Sequence, residues 1–254
     1  MEENYQYRFE LKPGRFVFVP TVATIAFGRQ VIDTVNSLWQ PNGLFYHYGK
    51  RGGHVAAMRP HLKSRFFASV DLSNFFGNVT KTKVIRSLKN IGVSPGDAFD
   101  IASASCVALS GKKFLPYGFP QSMVLATLAV ELSALGSALM SIRGTSVRVT
   151  MYVDDILLSS DDKDSLNAAY NLIFEGARIS NFAISELKCS PPSGSVTAFN
   201  CDLEPGSMNI IDGRIKKFVE NYMLGSEACQ FAIERYIGVI NDEQLKDFLK
   251  LVSS

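Results

Sequence analysis

Val147, Val149, Met151 and Val153 alternate with polar or small residues, and Ile156, Leu157 and Leu158 resume an apolar run. Alternation at period two marks a half-buried strand. Residues 147–160 therefore read as a hairpin with Asp154-Asp155 as its two-residue corner. Residues 66–70 read as a strand running into Asp71, and RFVFVP at 15–20 as another. Residues 31–46 read as helix or loop. Spacings of three and four predict a helix over 80–91, through Val84, Ile85, Leu88 and Ile91, and a small-residue helix over 96–110. LPYGFPQS at 115–122 is a Pro/Gly loop, with Ser122 as N-cap of an apolar helix over 123–142. Ser160 or Asp161 is expected to cap an amphipathic helix over 162–180. Two short strands, 182–188 and 195–201, flank SPPSG. Residues 212–252 read as two or three helices, with Asn241 and Gln244 as a capping box. This order suits an α+β chain whose antiparallel sheet is backed by helices. The only boundary signal is Pro205-Gly206, which divides the chain into 1–205 and 206–254.

Composition narrows the picture modestly. The chain has 254 residues, 46% hydrophobic and 20% charged, enough for one large domain or two small ones with a substantial core. A net charge of +2 leaves the question of a nucleic-acid partner to local charge. The N-terminus lacks a basic start followed by an apolar run, so no signal peptide is expected. The apolar stretch 123–142 carries Glu131 and several serines and reads as a buried helix, so no membrane partner is expected. Four cysteines without a C-x-x-C pair fit reduced core thiols of a cytoplasmic protein. His47, His54 and His61 are spaced by seven, but Gly52, Gly53 and Pro60 break any common helix, which argues against a zinc site. Residues 50–65 hold Lys50, Arg51, Arg59, Lys63 and Arg65 with no acidic residue: a solvated face or a phosphate-binding surface.

Asp71 and Asp154 each end an apolar strand. On neighbouring strands their carboxylates converge at one sheet edge. Such a cluster costs several kcal/mol unless a cation lies within it. Mg²⁺, with hard oxygen ligands and positions left for water and phosphate, is the expected ion. Two such ions form the clamp of in-line phosphoryl transfer.

At this point the chain resembles the reverse transcriptases. YVDD at 152–155 resembles their motif C, SVDLSNFF at 69–76 motif A, LPYGFPQS motif B, AISELKC at 183–189 motif D, and TAFNCDL at 197–203 the motif E strand pair. The blocks stand in family order over about residues 45–205. The resemblance implies a right-hand polymerase fold: fingers and an antiparallel-sheet palm over 1–205, and a short helical thumb over 206–254. It implies an RNA-directed DNA polymerase that uses two Mg²⁺ ions, or Mn²⁺ in their place. Asp71 and Asp154 would ligate both metals with the Leu72 carbonyl, and Asp155 would be the second hairpin carboxylate. Phe76 would be a steric gate against a ribose 2′-OH, facing away from Phe75. Gly118 would let the backbone approach nucleotide or template, and Gln121 and Ser122 would supply polar contacts. Lys188 would steady the departing pyrophosphate. Lys50, Arg51 and Arg59 would hold the triphosphate.

Motif B departs from the usual L-P-Q-G-x-P-x-S-P: Tyr117 replaces the first glutamine and Met123 the last proline. With Gly52-Gly53-His54 in the fingers stretch and Phe199-Asn200-Cys201, this altered motif B resembles most the abortive-infection and unknown-group bacterial reverse transcriptases, many of them antiphage defence proteins. The partners implied are dNTPs, an RNA template or noncoding RNA, a DNA product, and a companion subunit or second copy. Relaxed templating, a catalytically idle subunit that binds RNA or an active polymerase, and an RNA polymerase of related palm fold are the alternatives.

Overall fold

Residues 4–47 and 52–253 are described by the computed structural model of the chain. An N-terminal hairpin, β1 (Tyr5–Lys12) and β2 (Arg15–Pro20), precedes α1 (Val22–Leu38), which Thr21 caps through the Thr24 N–H. After α2 (Gly53–Met58) and a 3₁₀ turn (Arg59–Lys63) comes β3 (Phe66–Asp71). A second 3₁₀ turn, Phe76–Asn78, leads to α3 (Lys81–Asn90), α4 (Pro95–Ser105) and the hairpin β4 (Val107–Leu109) and β5 (Lys112–Phe114). The expected helix over 96–110 therefore stops at Ser105; the residues after it pair as strands.

The apolar stretch after the Pro/Gly loop is two helices, α5 (Ser122–Glu131) and α6 (Ala134–Ile142), bent by 71° at the break. Ser133 forms the break by capping α6 through the Gly136 N–H. No single helix among the described residues is long and apolar enough to cross a membrane. The cap of α5 is Gln121, and Ser122 lies inside the helix. Then follow β6 (Arg148–Tyr152), β7 (Asp155–Ser160) and α7 (Lys163–Ile179). Asp162, rather than Ser160 or Asp161, caps α7, accepting from the Asp164 and Ser165 N–H groups.

A 3₁₀ turn (Glu186–Lys188) replaces the expected strand over 182–188. The proline pair sits instead in β8 (Ser190–Ser193), beyond which lie β9 (Val196–Ala198), β10 (Cys201–Glu204) and β11 (Ser207–Ile210). Three helices close the chain: α8 (Asp212–Leu224), α9 (Glu227–Ile240) and α10 (Asp242–Ser253). Asn241 caps α10 as expected, but Gln244 turns away to bond the Ile210 N–H and carbonyl, so only half of the capping box forms.

The central sheet has the order β6-β7-β3-β8. β8 is an edge strand, the place where a sheet tolerates proline. Both faces are covered, which is why β7 reads as a continuous apolar run rather than an alternation. Val70, Ile156 and Leu158 face the cluster built with α5, α6 and α7. Phe67 and Leu157 face a second cluster with Met58, Leu203, Ile237 and Phe248. That second cluster joins Val55, Met58, Phe67 and Leu157 to residues from Val196 through Phe248, on both sides of Pro205-Gly206, which is the turn of the paired β10–β11 hairpin. All four cysteines are free thiols. His61 is fully buried, bonded to Ser159 and Thr150, with its pKa pulled down to about 3 by burial and by Arg148.

Candidate active site

The carboxylates meet where β3, β6 and β7 end together. β3 and β7 are antiparallel with Asp71 directly opposite Asp155. Tyr152 pairs with Asp155, so the two-residue turn is Val153-Asp154, one residue earlier than the Asp-Asp corner expected from sequence. Val153 takes a φ of +60°, a conformation strained for a β-branched residue. The Leu72 N–H donates to the Asp154 carbonyl at 2.9 Å and ties the strand end to the turn. The Ser185 N–H occupies the Asp71 carbonyl at 2.9 Å.

Like charges directly opposite on a sheet destabilise it. Burial raises the Asp155 pKa to about 7, Asp154 and Asp71 add to the rise, and Lys188 opposes it. Asp154 is also raised, first by burial and then by Asp71, with its own backbone N–H and Arg15 opposing. Two protein cations answer this charge. Lys188 Nζ lies 3.3 Å from Asp71 Oδ2, and Arg15 Nη2 lies 3.9 Å from Asp154 Oδ2. Among the described residues no three His, Cys, Asp or Glu side chains are grouped so as to hold a metal ion as they stand. The donor set nevertheless fits a hard divalent cation: half-buried, mutually repelling carboxylates at one sheet edge, whose repulsion a cation would relieve. Asp71, Asp154 and Asp155 would hold it, with the Leu72 carbonyl beside them.

Arg15 reaches this corner from the tip of the β1–β2 hairpin, which lies against the 115–121 loop. The Phe18 N–H donates to the Tyr117 carbonyl at 2.9 Å. The Arg15 guanidinium sits 4.8 Å from the Tyr117 ring centroid, and that ring meets Phe76 edge-on at 4.7 Å. Burial raises the Tyr117 phenol pKa, partly offset by Arg15. Gly118 has φ +106°, and a Cβ there would stand 2.3 Å from the Phe18 carbonyl oxygen.

Residues 18–197 match the family model described as reverse transcriptase (RNA-dependent DNA polymerase). The chain belongs to the reverse transcriptase family. Among solved structures it is similar to a foamy viral protease-reverse transcriptase bound to double-stranded DNA, with 19% identity over 97% of this chain and 38% of that one, at a TM-score of 0.52. A Candida albicans telomerase in complex with a telomeric RNA fragment shares 9% identity over 93% of this chain and 53% of that one, at a TM-score of 0.56. An RNA polymerase complex inside a double-stranded RNA virus shares 11% identity over 84% and 22%, at a TM-score of 0.57. The chain thus spans between about a fifth and a half of the length of these structures. At these identities they show the fold, which is the reverse transcriptase-like polymerase fold. Among curated protein sequences none matches.

The predicted site residues divide in this reverse transcriptase-family chain. Asp71, Leu72, Asp154, Asp155 and Lys188 are brought together, and Tyr117 joins them through Arg15. Phe76 is only 5% exposed and stands behind Tyr117; it touches Phe75, since both lie at the start of a 3₁₀ turn rather than on opposite faces of a strand. The structure places three further groups of predicted residues away from the open corner. Gly118 admits its own chain's Phe18 backbone on the side where a Cβ would point. Gln121 is fully buried, with Nε2 on Ser105 Oγ, and Ser122 is buried beside it, so neither offers polar contacts to the cleft. Arg59 bonds the Val239 carbonyl of α9 at 2.7 Å, on the side of the C-terminal helices, rather than a triphosphate position. Lys50 and Arg51 lie outside the described residues. Arg15 is the site residue that sequence reasoning missed. Pro13-Gly14 between two alternating runs signals its hairpin, but nothing local signals what that hairpin touches.

Proposed function

We propose that the chain is a DNA polymerase of reverse transcriptase type, adding dNTPs to a primer end on an RNA template or a noncoding RNA. The observation that carries this reading is the corner of Asp71, Asp154 and Asp155, with Asp155 raised to about 7. Perturbed, mutually repelling carboxylates mark a functional site rather than a stabilising one. Mg²⁺, or Mn²⁺ in its place, supplies when bound the charge that activates the attacking hydroxyl and steadies the leaving pyrophosphate. Arg15 and Lys188, beside Asp154 and Asp71, are placed to meet phosphate oxygens of a nucleotide bound at this corner. Tyr117, backed by Phe76, forms the aromatic wall proposed to exclude a ribose 2′-OH. The helices α8 to α10 serve as a short thumb; Met223, Leu224 and Phe231 on them are exposed and suit a companion subunit or second copy. The substituted motif B, with Tyr117 and Met123, supports placement among the defence-associated enzymes. The four free thiols support the cytoplasm.

A second reading is favoured by one observation. Lys188 and Arg15 already pair with Asp71 and Asp154, as they would in an idle subunit that binds RNA or an active polymerase. Purified protein given Mg²⁺ or Mn²⁺ and each labelled dNTP and NTP singly, with and without RNA, separates the two. The polymerase reading expects dNTP incorporation that follows the RNA sequence. Tight RNA binding with no incorporation in any mixture favours the idle subunit.

A further inference from the structure

The carboxylate turn carries a strained residue with no glycine in it, and its support comes from outside the sheet. The stretch before the undescribed residues runs beside β6. The Met151 N–H donates to the Leu44 carbonyl at 3.0 Å, and the Tyr46 N–H to the Met151 carbonyl at 2.9 Å. Phe45 lies opposite Met151 in parallel register. Two residues further along both chains, His47 meets Val153, whose N–H donates to His47 Nδ1 at 2.8 Å.

The other ring nitrogen fixes the tautomer. His47 Nε2 lies 2.8 Å from Thr127 Oγ1 on α5. The Thr127 hydroxyl already donates to the Met123 carbonyl at 2.8 Å, so it accepts from Nε2–H. Nδ1 is then left as the acceptor that the Val153 N–H requires. Edge contacts with Phe45 and Tyr152 hold the ring plane, with centroids at 6.0 and 6.1 Å. Burial lowers the His47 pKa to about 4, opposed by the Met151 carbonyl, which the Tyr46 N–H already occupies.

We propose that His47 is a positioning residue for the carboxylate hairpin: its imidazole links the Val153 N–H to Thr127 on α5, holds Val153 at positive φ, and so sets where Asp154 and Asp155 stand. The proposal rests on the polymerase reading, because its effect on rate presupposes that these carboxylates act on nucleotides. A misplacement of about 1 Å at such a site costs up to about a hundredfold in rate.

The test uses the full chain. His47→Phe keeps an aromatic ring and removes both nitrogens. It is expected to lower kcat for dNTP incorporation about tenfold or more, with KM for dNTP within about twofold. His47→Asn places an amide oxygen near the Nδ1 position and is expected to recover most of the loss. Val153→Gly on the His47→Phe background should also recover activity, since glycine takes positive φ without the bond. Should His47→Phe not fold, His47→Gln replaces it, placing its amide near the Nε2 position toward Thr127 and leaving no acceptor at the Nδ1 position that Val153 uses. Independently of activity, ¹⁵N NMR of the histidines at neutral pH should show His47 protonated at Nε2 and bare at Nδ1. A protonated Nδ1 overturns the proposal. An active wild type with an equally active His47→Phe, or His47→Gln in its place, overturns it alone. A wild type that incorporates nothing overturns the polymerase reading and this proposal with it.

Discussion

Two loops meet beside Arg15, and they treat the family pattern differently. The Val153-Asp154 turn and the start of β7 hold Asp154 and Asp155 half-buried beside Asp71, where repulsion raises their pKa values and Arg15 and Lys188 offset only part of it. The 115–121 loop carries the glycine and glutamine of motif B, but Gly118 lies under the Phe18 carbonyl and Gln121 under Ser105. One stretch is conformationally costly and exposes chemistry; the other is packed and contributes stability. A motif residue's identity thus does not fix its role. What stands against it in space does.

Substitutions at the two loops should therefore separate rate from stability. Asp71→Asn should cut dNTP incorporation by at least about a thousandfold while leaving the melting temperature unchanged or raised, because it removes one repelling charge. Gly118→Ala should do the reverse. A Cβ 2.3 Å from the Phe18 carbonyl, at φ +106°, should cost about 2–4 kcal/mol in denaturant unfolding. Gly118→Ala protein with wild-type stability would break the comparison.

Arg15→Ala removes the bridge between the two loops. About a tenfold rise in KM for dNTP is expected, with a smaller change in kcat. Steady-state kinetics over a dNTP range would check it.

The smallest expected effect is on stability against pH. The folded Asp155 pKa of about 7 lies above its ordinary value of 3.8. Between those values the folded chain holds a proton that the unfolded chain has released, so stability falls as pH rises from about 4 through 7. The loss should be on the order of 1–3 kcal/mol in chelator, should shrink when Mg²⁺ is added, and should flatten in Asp155→Asn. Melting curves across that pH range measure all three.

Much of this arrangement was legible in the chain. The strand ending at Asp71, the hairpin through 147–160 and the amphipathic face of α7 follow from local periodicity, and these bring the carboxylates together. The turn register slipped by one because Asp-Asp is ordinary turn chemistry and a valine at positive φ is not. The break between α5 and α6 was hidden by unbroken apolarity, with Ser133 as the one mark. β8 was hidden by its prolines, which only an edge position explains. Arg15 was missed as a site residue, and the contact of His47 with the turn was missed too, for a common reason: each acts across more than 100 residues of chain, and no local pattern records its partner.

The most direct test of the central claim is extension of a primer on an RNA template in Mg²⁺, comparing the wild type with Asp154→Ala. The account predicts dNTP extension by the wild type, reduced at least about a thousandfold in a variant that melts at the same temperature or higher. Folded Asp154→Ala protein that extends the primer at the wild-type rate would contradict it.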